Sequence, residues 1–290
     1  MVVLNNIQNA LKARKLILDG GMGTELYKRG IVGDTELANL SAGDSVFEIH
    51  KSYVEAGADI ITANTFGAYS HKHSNFAELI KVAISNAKKA CETCKTGRDV
   101  WVALDMGPTG LVLEPYGEAS TDECYAIFES AAQTGKEAGA DLIIVETMMD
   151  LNELEIAVKA AKTTGLPIFS SMSFTEKGKT MYGASVKDMA TTLERLGVDA
   201  IGMNCGFGPE PYATLVKELI GITNLPVLLQ PNAGIPIAGV TGLQYDFSPE
   251  LFAKLMLQMS DSGVRILGGC CGTEPAHIAL VAQLVKGGTK

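Results

Sequence analysis

The chain has 290 residues, 47% of them apolar and 20% charged, with a formal net charge of −9. This is the composition of an ordinary globular enzyme, long enough to bury a large core. The negative charge is spread along the chain with no local basic patch, so neither a nucleic acid nor an anionic membrane surface is an expected partner, and a small molecule or another protein is.

In chain order, residues 1–21 put charged and polar side chains where a secretory signal would carry its apolar core. No later run approaches the ~18 apolar residues of a membrane span. The protein is therefore expected in the cytoplasm with its thiols reduced. Six cysteines are too sparse for a disulfide scaffold, so a cluster of them points to metal or catalysis.

Short β-branched runs predict eight strands, over 16–19, 59–64, 100–106, 141–147, 166–173, 199–205, 225–230 and 264–269. Segments of helical period alternate with them, over 45–56, 75–95, 122–138, 151–162, 187–196, 210–220, 250–260 and 275–285. Ser45/Glu48, Ser120/Glu123 and Asp150/Glu153 have the spacing of a cap and a carboxylate three positions on, and Ser248-Pro249 supplies a cap followed by proline. Glu-Ala-Gly-Ala-Asp occurs twice, at 55–59 and 137–141, each time as a helix stop, a glycine turn and a new strand.

Strand and helix alternating eight times predict a TIM (β/α)8 barrel, read as one domain over residues 1–290. The rival, a doubly wound open sheet, is disfavoured because the first βα turn, Asp19-Gly-Gly-Met-Gly-Thr, lacks the dinucleotide-binding spacing. A barrel places its chemistry where strands end and βα loops begin.

The sixth strand ends at Cys205, and the eighth ends in Gly-Gly-Cys-Cys-Gly at Cys270 and Cys271, so three thiols are expected on one rim. Flanking glycines permit the sharp bend that lets adjacent cysteines reach one ion. Three thiolates suit Zn²⁺ and leave its fourth position open, as in catalytic zinc sites. The alternative is that these are ordinary small buried hydrophobes. Cys91 and Cys94 lie inside a helix rather than at its start, so they read as packing, as does Cys124. His71 and His73 fall in the rim loop after the second strand and read as solvated.

Seven segments, Asp19-Gly-Gly-Met-Gly-Thr-Glu-Leu, Ala63-Asn-Thr-Phe-Gly-Ala, Asp105-Met-Gly-Pro-Thr-Gly, Val145-Glu-Thr, Gly202-Met-Asn-Cys-Gly, Gln230-Pro-Asn-Ala-Gly and Gly268-Gly-Cys-Cys-Gly-Thr, resemble the signatures of the homocysteine S-methyltransferase family. They come in family order and span nearly the whole chain. The resemblance implies a zinc barrel in which Cys205, Cys270 and Cys271 hold the metal and homocysteine is activated as a zinc-bound thiolate and methylated to methionine. A free alkyl thiol, with a pKa of about 8.5, is mostly protonated at neutral pH, and a metal removes that obstacle.

Glu146, ending the fourth strand, and Asp19, ending the first, stand at the rim expected for the substrate ammonium, with Glu146 favoured by the resemblance. Asn64, Thr65, Ser173 and the turn amides of Gly20 and Gly21 are further candidates, serving either the substrate carboxylate or the protein backbone. By the same resemblance, Asn232 corresponds to a position that in the corrinoid-dependent branch completes the zinc sphere before the thiol arrives; a simple turn role for Pro-Asn-Ala-Gly is the alternative.

The segments at 107–110 and 230–234 look most like the homocysteine module of cobalamin-dependent methionine synthase. That resemblance implies methylcobalamin as the methyl source. One barrel leaves no room for a corrinoid domain, and no histidine sits in an Asp-x-His-x-x-Gly context, so the methyl-corrinoid is expected on a separate protein or domain. S-methylmethionine or betaine used directly is the alternative donor. A non-catalytic zinc or thiol-binding protein, or a lyase on the same barrel, are the rivals from other classes.

Overall fold

The computed structural model of this chain describes residues 6–239 and 242–287. Residues 1–5 of the stretch read for a targeting signal lie outside these, as do both ends of the span 1–290. The first half of the described chain runs α1 (Asn6–Ala13), β1 (Leu16–Ile17), α2 (Met22–Lys28), α3 (Ala38–Ser41), α4 (Gly43–Glu55), β2 (Ile60–Thr62), α5 (Phe76–Cys94), β3 (Trp101–Met106), α6 (Thr121–Glu137) and β4 (Leu142–Met148). It continues through α7 (Leu151–Lys162), β5 (Ile168–Met172), α8 (Val186–Leu196), β6 (Ala200–Cys205), α9 (Pro209–Ile222), β7 (Val227–Pro231), a hairpin of β8 (Ile237–Gly239) and β9 (Gly242–Gln244), α10 (Pro249–Asp261), β10 (Ile266–Leu267) and α11 (Pro275–Gly287).

Eight parallel strands form one sheet in the order β1-β10-β7-β6-β5-β4-β3-β2. A parallel bridge between Leu18 and Ile60 joins its two edges, so the sheet is the expected (β/α)8 barrel. Both faces of every strand are buried, which is why the strands read as continuous apolar runs. The side chains nevertheless alternate. Ile17, Ile61, Val102, Leu104, Ile143 and Val145 point outward into a core shared with the helices, while Leu16, Leu18, Ile60, Trp101, Ala103, Leu142, Ile144, Leu228 and Ile266 fill the interior.

Helix α1, not predicted, adds Ile7 and Leu11 to that inner core. Ile7 and Leu11 lie one turn apart and share a face. Above the apolar layers the same inward parity carries Thr62, Asp105, Glu146, Ser171, Asn204 and Gln230, all buried.

Local signals fared unevenly. Ser45 and Glu48 form no cap, because α4 begins two residues earlier, at Gly43, with Ala42 before it. Ser120 does accept the Glu123 amide, and Ser248 that of Leu251. Asp150 caps α7 through Asn152, while Glu153 instead takes the amide and hydroxyl of Thr109 at 2.8 and 2.6 Å. A reciprocal capping box, unpredicted, opens α8 at Ser185 and Asp188. Among the described residues no helix is long and apolar enough to cross a membrane.

Candidate active site

The end of β6 is bent into shape by its neighbours. Cys205 has φ 60, a left-handed conformation that is costly for a residue with a Cβ. Just before it, the Asn204 Oδ1 accepts the Thr147 amide and the Ser171 hydroxyl, each at 2.8 Å, and its Nδ2 donates to Thr147 Oγ1 at 2.6 Å. This ties β4, β5 and β6 together beside Glu146. The Tyr212 hydroxyl donates to the carbonyls of Asn204 and Cys205 at 3.0 and 2.9 Å, which closes the turn from below.

The loop after β10 is anchored just as fully. The Cys270 amide donates to the Pro231 carbonyl at 2.8 Å, the Ala233 amide to the Cys271 carbonyl at 3.0 Å, and the Gly269 amide to the Asp19 carbonyl at 2.9 Å. The Thr273 hydroxyl donates to the Cys270 carbonyl at 2.6 Å. Gly272 has φ 80, and a Cβ there would lie 2.1 Å from the ring of Tyr245, so only glycine fits. The outcome is that the sulfurs of Cys205, Cys270 and Cys271 all lie within 4.8 Å of one another, with Cys270 and Cys271 at 3.9 Å. Tetrahedral zinc with Zn–S bonds of about 2.3 Å separates its sulfurs by about 3.8 Å, so this donor set fits the ion.

Hydrogen bonds from Cys205 and Cys270 hold the Cys271 thiol down to about 3, with a further bond from the Tyr245 hydroxyl. Its partner Cys270 is pushed well up by the same sharing. Without metal the cluster therefore favours a single thiolate, at Cys271, hydrogen-bonded by its two neighbours.

These thiols open on a cavity of about 1200 Å³ whose wall includes Asp19, Gly20, Gly21, Asn64, Asp105, Glu146 and Gln230. Burial raises Glu146 to about 7, with the neighbouring Cys205 adding to it. Burial likewise raises Asp19 to about 8 in spite of two opposing hydrogen-bond donors, the Thr62 amide at 2.8 Å and the Thr62 hydroxyl at 3.1 Å. Asp105 is pushed well up by burial and then by the charges of Glu146 and Asp19.

The structure thus brings Cys205, Cys270, Cys271, Glu146, Asp19, Gly20 and Gly21 into one cavity. The Gly21 amide is already engaged by Thr273. Asn64 lines the wall, but its Nδ2 is committed to the Thr35 carbonyl at 2.7 Å. Thr65 and Ser173 are not part of the lining, and the Thr65 hydroxyl bonds the backbone of Asp105 on both sides, at 2.8 and 3.0 Å. Asn232 also lies outside the lining, yet it sits between Pro231 and Ala233, which both bond the cysteine loop, and its buried Oδ1 has no partner.

Asp105, Gln230 and Tyr245 were not singled out from sequence. Strand parity could have found the first two, since Trp101, Ala103 and Asp105 alternate inward as Leu142, Ile144 and Glu146 do. Cys91 and Cys94 pack against the outer core on α5, and Cys124 is buried, as expected for structural cysteines. His73 is buried rather than solvated, in a turn closed by its amide on the Tyr69 carbonyl at 2.9 Å.

Residues 16–285 match the family model described as homocysteine S-methyltransferase. A methionine synthase of Mycobacterium tuberculosis is 32% identical over 302 residues, which covers 97% of this chain and 25% of that protein. A methionine synthase of Mycobacterium leprae is 30% identical with the same coverage. The chain therefore spans about a quarter of the length of the curated relatives it matches. Among solved structures, the oxidized form of the homocysteine methyltransferase MmuM from Escherichia coli superposes with a TM-score of 0.81 at 25% identity, covering 96% of this chain and 99% of that one.

Proposed function

This chain belongs to the homocysteine S-methyltransferase family, and on that footing we propose that it methylates the thiol of homocysteine to give methionine, using Zn²⁺ held by Cys205, Cys270 and Cys271. The observation that carries this reading is the convergence of three sulfurs within 4.8 Å on a cavity that also presents buried carboxylates. The orphaned Oδ1 of Asn232 supports that residue as the fourth donor in the absence of substrate. Zinc, when bound, supplies a Lewis acid that keeps the substrate sulfur deprotonated at neutral pH.

The chain's own residues do the rest. Glu146 takes the substrate ammonium, with Asp19, just beyond β1 and raised by burial to about 8, offering a further carboxyl oxygen beside it. The turn at Gly20 and Gly21 faces the substrate carboxylate. Thr65 and Asn64 act one layer out, holding the ends of β3 and β2 in place, and Ser173 closes the end of β5 through its amide bond to the Met148 carbonyl at 2.9 Å. A non-catalytic zinc protein would gain nothing from three buried carboxylates beside its thiols, which cost free energy to hold there.

The whole span 1–290 is then a homocysteine-binding module working in the cytoplasm. Likeness to methionine synthases supports methylcobalamin on a separate protein or domain as the methyl donor. The second reading is direct use of S-methylmethionine or betaine; the likeness to MmuM, a homocysteine methyltransferase, supports homocysteine as the acceptor under either reading.

The test is zinc content and methionine formation by the purified, reduced protein given L-homocysteine and each donor in turn. About one zinc per chain, as three thiolate ligands demand, and methionine formed with methylcobalamin uphold the reading. Methionine formed only from S-methylmethionine or betaine moves the donor assignment to the second reading. Absence of both zinc and methionine overturns it.

A further inference from the structure

Tyr245 follows directly on β9 and lines the cavity beside Cys270 and Cys271. Its ring fills the space that a Cβ on Gly272 would need, 2.1 Å from that position, and its hydroxyl donates to the Cys271 sulfur. The segment that carries it is pinned. The Phe247 amide donates to the Ala233 carbonyl at 3.0 Å, and the Ala233 amide to the Cys271 carbonyl at 3.0 Å. His277 on α11 accepts the Glu274 amide at Nδ1, at 3.2 Å, which leaves its Nε2 to donate to the Phe247 carbonyl at 3.1 Å. The hydroxyl is thus held against one particular sulfur from both the cysteine loop and α11.

Three protein thiolates and a substrate thiolate on one ion pose a selectivity problem. The three protein sulfurs lie within 4.8 Å of one another and line the same cavity, so a methyl donor that reaches the substrate sulfur also reaches them. Methylation of Cys271 would form a C–S bond there, release the donor's leaving group with the bonding pair, and turn an anionic ligand into a neutral thioether. A hydrogen bond to a thiolate draws charge away from it, and its nucleophilicity falls with its basicity, with a Brønsted slope of about 0.4–0.5. Cys205 has a donor of another kind, the Gly206 amide, while Cys270 shares hydrogen bonds with its fellow cysteines.

We propose that the Tyr245 hydroxyl, by donating to the Cys271 sulfur, makes this ligand a poorer nucleophile than the substrate thiolate and so directs the methyl group to the substrate. The inference rests on the function proposed above and adds to it a residue that protects the site from its own chemistry. Tyr245 acts through Cys271 and is a positioning residue. Its ring and its hydroxyl have separable tasks: the ring packs on the Gly272 backbone and sets the distance, and the hydroxyl supplies the donor.

Methyl iodide, a methyl donor that needs no partner protein, tests this on zinc-loaded wild type and Tyr245→Phe, which keeps the ring and removes the donor. Peptide mass spectrometry reports the initial rate of methylation at each cysteine, first without homocysteine and then with protein in excess over L-homocysteine. Without homocysteine, Cys271 in Tyr245→Phe should react about three- to tenfold faster than in wild type, as loss of one charge-assisted hydrogen bond predicts, with Cys205 and Cys270 unchanged. With homocysteine, the ratio of methyl on Cys271 to methionine should rise by a similar factor. Tyr245→Leu should raise the Cys271 rate at least as much, and carries the test if Tyr245→Phe does not fold by circular dichroism. An unchanged Cys271 rate, or an equal rise at all three cysteines as loosened packing would give, overturns the assignment and leaves the function standing. So does a folded Tyr245→Phe protein that no longer holds zinc, since the hydroxyl would then serve metal binding itself. Wild type that holds zinc but passes no methyl to homocysteine overturns the function, and the Cys271 rates still judge the hydroxyl. Wild type that holds no zinc overturns both.

Discussion

Two levels of the barrel interior are built by the same inward alternation and do opposite work. At the lower level Leu18, Ile60, Ala103, Ile144, Leu228 and Ile266 close a dry core over α1. Two residues further along β2, β3, β4 and β7 stand Thr62, Asp105, Glu146 and Gln230. One step of strand periodicity thus turns insulation into chemistry. The apolar level excludes water from beneath the carboxylates, which is the main cause of their raised pKa values.

If the upper level carries function and the lower level stability, substitutions at each should separate the two. The largest effect is expected at the rim. Cys271→Ser removes one of three converging sulfurs, the one held lowest by its neighbours, and should lower zinc content and methionine formation by more than the roughly 10- to 100-fold that outer partners of a metal site carry. The urea midpoint of the metal-free protein should scarcely move, since the rim lies above the core. Retained zinc and activity would show that the sulfurs do not act as a set.

Next in size is Ile144→Ala at the lower level. Ile144 is fully buried in the inner core, so truncation should cost about 2–5 kcal/mol in urea unfolding. The folded fraction should bind zinc and homocysteine as wild type does. A change in homocysteine affinity comparable to that at the rim would break the division between the two levels.

Much of this was open to sequence reading, for identifiable reasons. The strands were found because burial on both faces makes each a continuous apolar run, and the three thiols because glycines bracket two of them. Glu146 was singled out because it lies near the end of a predicted strand in a recognisable segment. Asp105 stands on β3 at the same inward parity, but its segment was read for its Gly-Pro-Thr-Gly turn rather than its strand. Helix α1 was missed because Lys12, Arg14 and Lys15 mask the two apolar residues, Ile7 and Leu11, that insert beneath the barrel. Asn64 and Thr65 were placed correctly at the end of β2, but the direction of a polar side chain depends on partners distant in sequence, here Thr35 and Asp105. The left-handed turn at Cys205 has no local signature, since it is held by Asn204 and Tyr212.

The smallest effect, measured per pH unit, sharpens the electrostatic side of the comparison. Burial raises Asp19 from 3.8 to about 8, so between these values the folded protein holds a proton that the unfolded chain has released. A group with a raised folded pKa stabilises fully below its unfolded pKa, and that contribution is lost as pH rises through the folded one. Stability of the metal-free protein should therefore fall from about pH 4 to about pH 8, with a slope of up to about 1.4 kcal/mol per unit from this one group. Asp19→Asn, which cannot titrate and can still accept the Thr62 amide, should flatten that slope. Urea unfolding at several pH values compares the two proteins directly. An unchanged slope would mean that the dry lower level does not insulate Asp19, and that the two levels are less distinct than their side chains suggest.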